Sequence, residues 1–152
     1  MSASSPKSTP DTSSLDSSGN PLRIYIVDDS PIIVHLLREL LEGGTDLEIV
    51  GDTGQASVAL AQIPERSPHV AIVDIALQAG TGYDVLRGLA TQGPRRPLVM
   101  MLSNFATQNY RDEALKLGAD LFFDKHDEII DLVRTITAMA RRPQEPSGSA
   151  RS

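Results

Sequence analysis

Leu22-Arg23-Ile24-Tyr25-Ile26-Val27-Asp28-Asp29-Ser30-Pro31-Ile32-Ile33-Val34-His35-Leu36-Leu37-Arg38-Glu39-Leu40-Leu41-Glu42 changes its hydrophobic period part-way along, and that change decides the fold. Leu22–Val27 is a short, largely apolar run with β-branched residues, of strand length. From Pro31 to Glu42, Ile33, Leu36, Leu37, Leu40 and Leu41 fall on one face of a helix. Ser30 is a good N-cap and Pro31 suits the first helical position, while Gly43 and Gly44 supply the stop. A strand that passes through a short polar turn into a helix is the opening half of a βαβ unit.

Outward from this stretch the same alternation repeats. Further strand-length runs are Leu47–Gly51, His69–Asp74, Pro97–Leu102 and Ala119–Phe123. Between them lie segments of helical period. Ala56–Ile63 stops at Pro64. Gly82–Gln92 carries Val85, Leu86 and Leu89. Thr107–Leu117 carries Tyr110, Ala114 and Leu117, and Gly118 follows. The last helix, Asp127–Arg142, has acids in its first turn and arginines in its last, as the helix dipole prefers. Five strands alternating with five helices predict a parallel sheet covered on both faces, an α/β doubly wound, flavodoxin-like three-layer sandwich. One common strand order is 2-1-3-4-5, with ligands at the switch point between strands 1 and 3. Periodicity alone does not select it.

The bulk composition is consistent with one such domain. At 152 residues a single aliphatic core is self-sufficient, and with 4% aromatics it must be mostly aliphatic. There is no cysteine, which removes disulfides and thiolate metal sites and fits a cytoplasmic location. The net charge of −6 argues against a nucleic-acid surface. No apolar run approaches the roughly 20 residues of a membrane span. Residues 1–20, rich in Ser, Thr, Pro and Asp, and residues 143–152 read as disordered tails around a folded unit at 21–142.

Polar groups collect at the strand C-termini. Asp28 and Asp29 follow the first strand, Asp74 ends the third, Ser103 ends the fourth, and Lys125 lies just past the fifth. Taken singly, each has a plain structural role as a cap, a turn residue or a solvated charge. Two adjacent acids are less well explained this way, because Ser30 already supplies the cap. In the 2-1-3-4-5 order all of them share one crevice. Carboxylates gathered there repel, by about 4 kcal/mol per pair at 4 Å and an effective dielectric of 20. A lysine ammonium and a divalent cation offset that. An all-oxygen donor set without His or Cys favours Mg²⁺ over zinc. A carboxylate beside Mg²⁺ and Lys is equipped to attack a phosphoryl group, and a hydroxyl or backbone N–H at Ser103–Asn104 is placed to donate to its oxygens.

The stretches Ile26-Val27-Asp28-Asp29-Ser30-Pro31, Val73-Asp74-Ile75-Ala76-Leu77, Met101-Leu102-Ser103-Asn104 and Phe122-Phe123-Asp124-Lys125, with Gly82 eight residues after Asp74, resemble the motifs of response-regulator receiver domains. The similarity is to single-domain, chemotaxis-regulator-like members and covers Pro21 to Arg142. It implies that Asp74 is the phosphoacceptor. Asp28, Asp29, Asp74 and the backbone carbonyl of Ala76 hold Mg²⁺ or Mn²⁺. Lys125, Ser103 and the Asn104 backbone stabilise the phosphoryl group. Ser103 and Phe122 are the switch residues, although a plain core role suits Phe122 as well. The implied partner is a histidine kinase or histidine phosphotransfer protein. The chain then signals by protein contact or phosphotransfer, is not itself an enzyme, and self-dephosphorylates slowly.

This chain departs from the family pattern at three positions. Gln78 replaces a proline often found four residues after the acceptor. His126 replaces the proline that commonly follows the lysine. Phe122 lacks a tyrosine hydroxyl. Only 27 residues follow Lys125, which leaves room for one helix and a tail and predicts a stand-alone receiver.

Other classes share the architecture. A flavodoxin-like nucleotide or flavin binder needs a Gly- or Ser/Thr-rich phosphate cradle, and Asp-Asp-Ser-Pro opposes a phosphate. A haloacid-dehalogenase-type phosphatase needs a second acid two residues after its nucleophile, where Ala76 stands. A receiver-like scaffold that binds partners without phosphorylation is the third alternative.

Overall fold

The computed structural model describes residues 20–43 and 46–141. Both expected tails, Asn20 apart, lie outside the described residues, as do Gly44 and Arg142. The elements are β1 Leu22–Val27, α1 Pro31–Leu41, β2 Leu47–Thr53, α2 Ala56–Arg66, β3 Val70–Val73, α3 Gly82–Ala90, a 3₁₀ turn Gly93–Arg95, β4 Leu98–Ser103, α4 Gln108–Lys116, β5 Leu121–Asp124 and α5 Ile129–Arg141. The five strands are parallel, in the order β2-β1-β3-β4-β5.

The doubly wound sandwich predicted from the alternation is therefore present, and each central strand feeds two cores. Tyr25, Val27, Ala71, Val73, Val99 and Met101 point to the face covered by α2, α3 and α4. Ile24, Ile26, Val70, Ile72, Met100 and Leu102 point to the face covered by α1 and α5. This is why β1, β3 and β4 read as continuous apolar runs rather than alternating ones.

The boundaries differ where local hydrogen bonding overrides composition. Helix α2 does not stop at Pro64 but runs to Arg66. Pro64 lies in the last turn on an exposed face, where its missing N–H disturbs little. The stop is Ser67, at φ 47°, whose N–H donates to the Ile63 carbonyl at 2.8 Å, with Pro68 just beyond. Helix α3 ends two residues early, because the Thr91 hydroxyl donates to the Gly88 carbonyl at 2.7 Å. Helix α1 ends at Leu41, with Glu42 as its cap. On α4 only Ala114 of the expected apolar face is fully buried. Tyr110 is exposed and lies against the Phe105 ring, with centroids 5.3 Å apart.

Register positions the site. Val27 pairs with Val73, so the residues that follow them, Asp28 and Asp74, emerge side by side. Ser103 pairs with Asp124, which brings Lys125 to the same edge.

Candidate functional site

Asp28, Asp74 and Ser103 are the buried polar or charged residues among those described, and all three stand at the C-terminal edge of the sheet. Asp28 leaves β1 with its N–H bonded to the Thr53 carbonyl at 2.9 Å, and its Oδ1 accepts the Ser30 N–H at 2.9 Å. Asp74 leaves β3 with its N–H bonded to the Val27 carbonyl at 2.8 Å, and its Oδ1 accepts the Ile75 N–H at 2.7 Å. One oxygen of each carboxylate is thus fixed by backbone. The other oxygens face the same cation: Lys125 Nζ lies 2.8 Å from Asp28 Oδ2 and 2.8 Å from Asp74 Oδ2. The three side chains are only 6%, 2% and 7% exposed for Lys125, Asp28 and Asp74.

Asp29 is exposed beside them. One carboxylate oxygen from each of Asp28, Asp29 and Asp74 lies within 4.8 Å of the others, an all-oxygen cluster of the kind that holds a hard divalent cation. Three carboxylates against one ammonium leave excess negative charge. Burial pushes the Asp28 carboxyl above its ordinary range despite the bonds from Lys125 and Ser30, and Asp74 adds to the rise. Burial alone would lower the Lys125 ammonium, but its bonds to Asp28 and Asp74 outweigh that and hold it above its ordinary value. The Asp28 shift is mainly the cost of burying a carboxylate, whereas the Lys125 shift is the attraction of two carboxylates.

Ala76, Asn104 and Phe105 line the pocket with Asp29, Asp74 and Lys125. Ser103 is fully buried, and its Oγ accepts the Phe105 N–H at 3.0 Å. Phe122 is buried in the core beneath α4, so its packing role is real. The structure thus brings the candidates from β1, β3 and the β5–α5 turn into direct contact. Ala76 and Asn104 stand around the same pocket, and Phe122 sits behind it.

Gly82, already part of the sequence pattern, is buried, and a Cβ there would collide with the Asp74 backbone carbonyl. Other residues with a part in this geometry carry no such signal in the sequence. A Cβ at Gly54 would stand 2.9 Å from Asp29 Cα. Behind Lys125, Arg111 lies over the Phe122 ring at 5.0 Å and reaches Glu128 Oε1 at 3.2 Å. The His126 backbone N–H donates to Asp124 Oδ1 at 2.8 Å and holds that carboxyl below its usual range. The Asp124-to-Glu128 spacing of four is visible in the sequence, but nothing there ties it to α4.

An open parallel α/β sheet that carries its ligand pocket at the switch point defines the class, and here that pocket is oxygen-lined and bridged by Lys125. Within that class the assignment is specific, for residues 24–137 match the family model of the response regulator receiver domain. The chain belongs to that family.

Among curated relatives, protein-glutamate methylesterase/protein-glutamine glutaminase 5 of Myxococcus xanthus is 30% identical over 143 residues, 86% of this chain and 41% of that protein. The DNA-binding transcriptional activator DevR/DosR of Mycobacterium tuberculosis is 26% identical over 115 residues, 76% of this chain and 52% of the relative. The chain thus spans about half the length of these relatives.

A LuxR-family DNA-binding response regulator from Staphylococcus aureus superposes with a TM-score of 0.70 at 26% identity, covering 79% of this chain and 99% of that one. The response regulator domain of Thermotoga maritima CheB does so at 0.69 and 22% identity, over 80% and 95%, a likeness of fold. No helix among the described residues is long and apolar enough to cross a membrane.

Proposed function

We propose that this chain accepts a phosphoryl group on Asp74 from a phosphohistidine of a histidine kinase or histidine phosphotransfer protein. The observation that carries this is the ammonium of Lys125 held 2.8 Å from both Asp28 and Asp74, with Asp29 completing an acid cluster. Asp74 directly follows β3, which lies between the strands that lead to the other site groups, and its backbone N–H and Oδ1 are each held by a hydrogen bond. A carboxylate oxygen of Asp74 forms the new P–O bond as the P–N bond to the donor imidazole breaks, and the imidazole leaves with the bond pair and takes a proton. Lys125 then balances charge on the phosphoryl oxygens, and the Asn104 backbone N–H donates to them. Asp28, Asp29, Asp74 and the Ala76 carbonyl would hold Mg²⁺ or Mn²⁺, which supplies further charge neutralisation when bound.

Ser103 is the switch hydroxyl on this reading. In the structure its lone pair serves the Phe105 N–H, so turning toward a phosphoryl oxygen draws on the β4–α4 loop. Phe122 lies behind that loop and transmits the change to the face made by α4, β5 and α5.

The receiver unit works in the cytoplasm, and its output is protein contact or phosphotransfer. The net charge of −6 supports an output without nucleic-acid contact. Binding of beryllofluoride with Mg²⁺ to wild type and to Asp74→Asn tests the proposal. A saturable response in wild type that the variant lacks is expected. Silence in both would favour a scaffold that is never phosphorylated.

A further inference from the structure

Sheet pairing ends at Asp124, so the backbone of Lys125 is held to the sheet beyond that rung by its N–H to the Ser103 carbonyl, 3.0 Å. A lysine side chain has four rotatable carbons, yet its ammonium meets two carboxylates at 2.8 Å each. Something must fix the turn from which it springs. No peptide among the described residues is cis, and His126 follows the lysine in place of a proline.

The turn is closed by side chains. Glu128 N–H donates to the Asp124 carbonyl at 2.8 Å, and Glu128 Oε1 accepts the Asp124 N–H at 2.7 Å, so the two residues bracket Lys125 from both sides. The His126 N–H closes the inner ring on Asp124 Oδ1. Arg111 braces the same Glu128 oxygen and donates through Nε to the Ala106 carbonyl at 2.9 Å, in the loop that follows Ser103.

We propose that Glu128, braced by Arg111, is the positioning residue for Lys125: it fixes the turn that carries the ammonium and ties it to the loop that follows Ser103. The functional consequence rests on the phosphoacceptor reading. A simple helix-capping role accounts for only part of these contacts. A capping-box carboxylate also reaches back to an upstream N–H, as Asp84 does to Thr81 at α3, but Glu128 reaches across the Lys125 turn to Asp124 and is bound at the same oxygen by Arg111 from α4. An ordinary surface ion pair with Arg111 would contribute little. The charge-assisted bond to the Asp124 N–H is what constrains backbone.

Two variants separate the possibilities. Glu128→Ser keeps a helix-capping hydroxyl but is too short to reach Asp124. Glu128→Gln keeps an acceptor oxygen at full reach. The readouts are the Lys125 ammonium resonance by ¹⁵N NMR in the unliganded chain, the Kd for beryllofluoride in saturating Mg²⁺, and the Kd for Mg²⁺ alone. Glu128→Ser is expected to lose the slowly exchanging ammonium signal and to raise the beryllofluoride Kd roughly tenfold. Its Mg²⁺ Kd stays the same or tightens, because a loosened lysine competes less for Asp28. Glu128→Gln recovers the signal and most of the affinity. His126→Pro, which restores the family's residue but removes the N–H to Asp124, moves in the direction of Glu128→Ser.

A wild-type ammonium signal in Glu128→Ser overturns the proposal, as do equal losses for Mg²⁺ and beryllofluoride or a Gln variant no better than Ser. If wild type ignores beryllofluoride while the ammonium signal behaves as expected, the phosphoacceptor reading fails and the positioning role stands.

Discussion

Replacing Lys125 by methionine removes the cation from between two buried carboxylates and leaves their geometry otherwise intact. At 2.8 Å and an effective dielectric of 20, each ammonium–carboxylate attraction is about 6 kcal/mol. Most of that offsets the several kcal/mol needed to bury each ion. What the variant loses is compensation: Asp28 and Asp74 stay buried and fixed by the Ser30 and Ile75 N–H groups, with no positive charge between them. Breaking a buried pair in this way costs about 3 kcal/mol, roughly 10 °C in Tm for a domain of this size.

Two reliefs should follow. Asp28 already has a raised pKa because of burial, so its native state holds a proton more tightly than the unfolded chain does. Its protonation therefore favours folding at low pH, and the benefit fades as pH rises through the native pKa. The Lys125 bond and charge lower the Asp28 pKa in wild type, so losing them raises it further, and the deficit of Lys125→Met relative to wild type is largest above the native Asp28 value and shrinks on acidification. Millimolar Mg²⁺ should recover most of it, through the cluster of Asp28, Asp29 and Asp74. Urea denaturation of both proteins at pH 7.5 and pH 5.5, with and without Mg²⁺, measures all three effects. A variant within 0.5 kcal/mol of wild type at pH 7.5 without metal, or one that Mg²⁺ does not rescue, refutes the reasoning.

Three further outcomes are expected. Gly82→Ala pushes a methyl into the Asp74 carbonyl and should destabilise by about 2 kcal/mol in denaturant titrations; a neutral result would show that the α3 N-terminus yields freely. His69 Nδ1 accepts the Arg23 N–H at 2.9 Å, and burial with Arg23 nearby lowers its pKa below the ordinary 6.5. Its contribution to stability is complete above pH 6.5 and is lost as pH falls through the lower native value, so a stability–pH profile of His69→Gln should be flatter over that limb. Finally, Ala76 and Phe105 at the pocket rim offer no base to an attacking water, so phosphate release from the phosphorylated chain should be slow, and decay within seconds would contradict this.

Much of the site is legible in the sequence because its parts obey local rules. Asp28, Asp29, Asp74 and Ser103 announce themselves as polar residues that end apolar strands, and Ser30-Pro31 marks where α1 begins. Pro64 misled, because a proline in a last exposed turn removes one hydrogen bond without ending the helix, while Ser67 in the left-handed region carries no comparable sequence signal. Tyr110 misled for a different reason: helical spacing says which residues share a face, and not whether a neighbouring element covers it.

The amino-acid sequence by itself determined the alternation of strands and helices, the aliphatic two-sided core and the set of polar groups at the strand ends, because hydrophobic period and capping act within a few residues. Only the tertiary structure decided that the order is 2-1-3-4-5, that Lys125 bridges Asp28 and Asp74, and that Glu128 and Arg111 stand behind it. Those contacts join residues far apart in the chain. They exist because parallel register aligns strand ends and burial makes an unpaired charge too costly to leave.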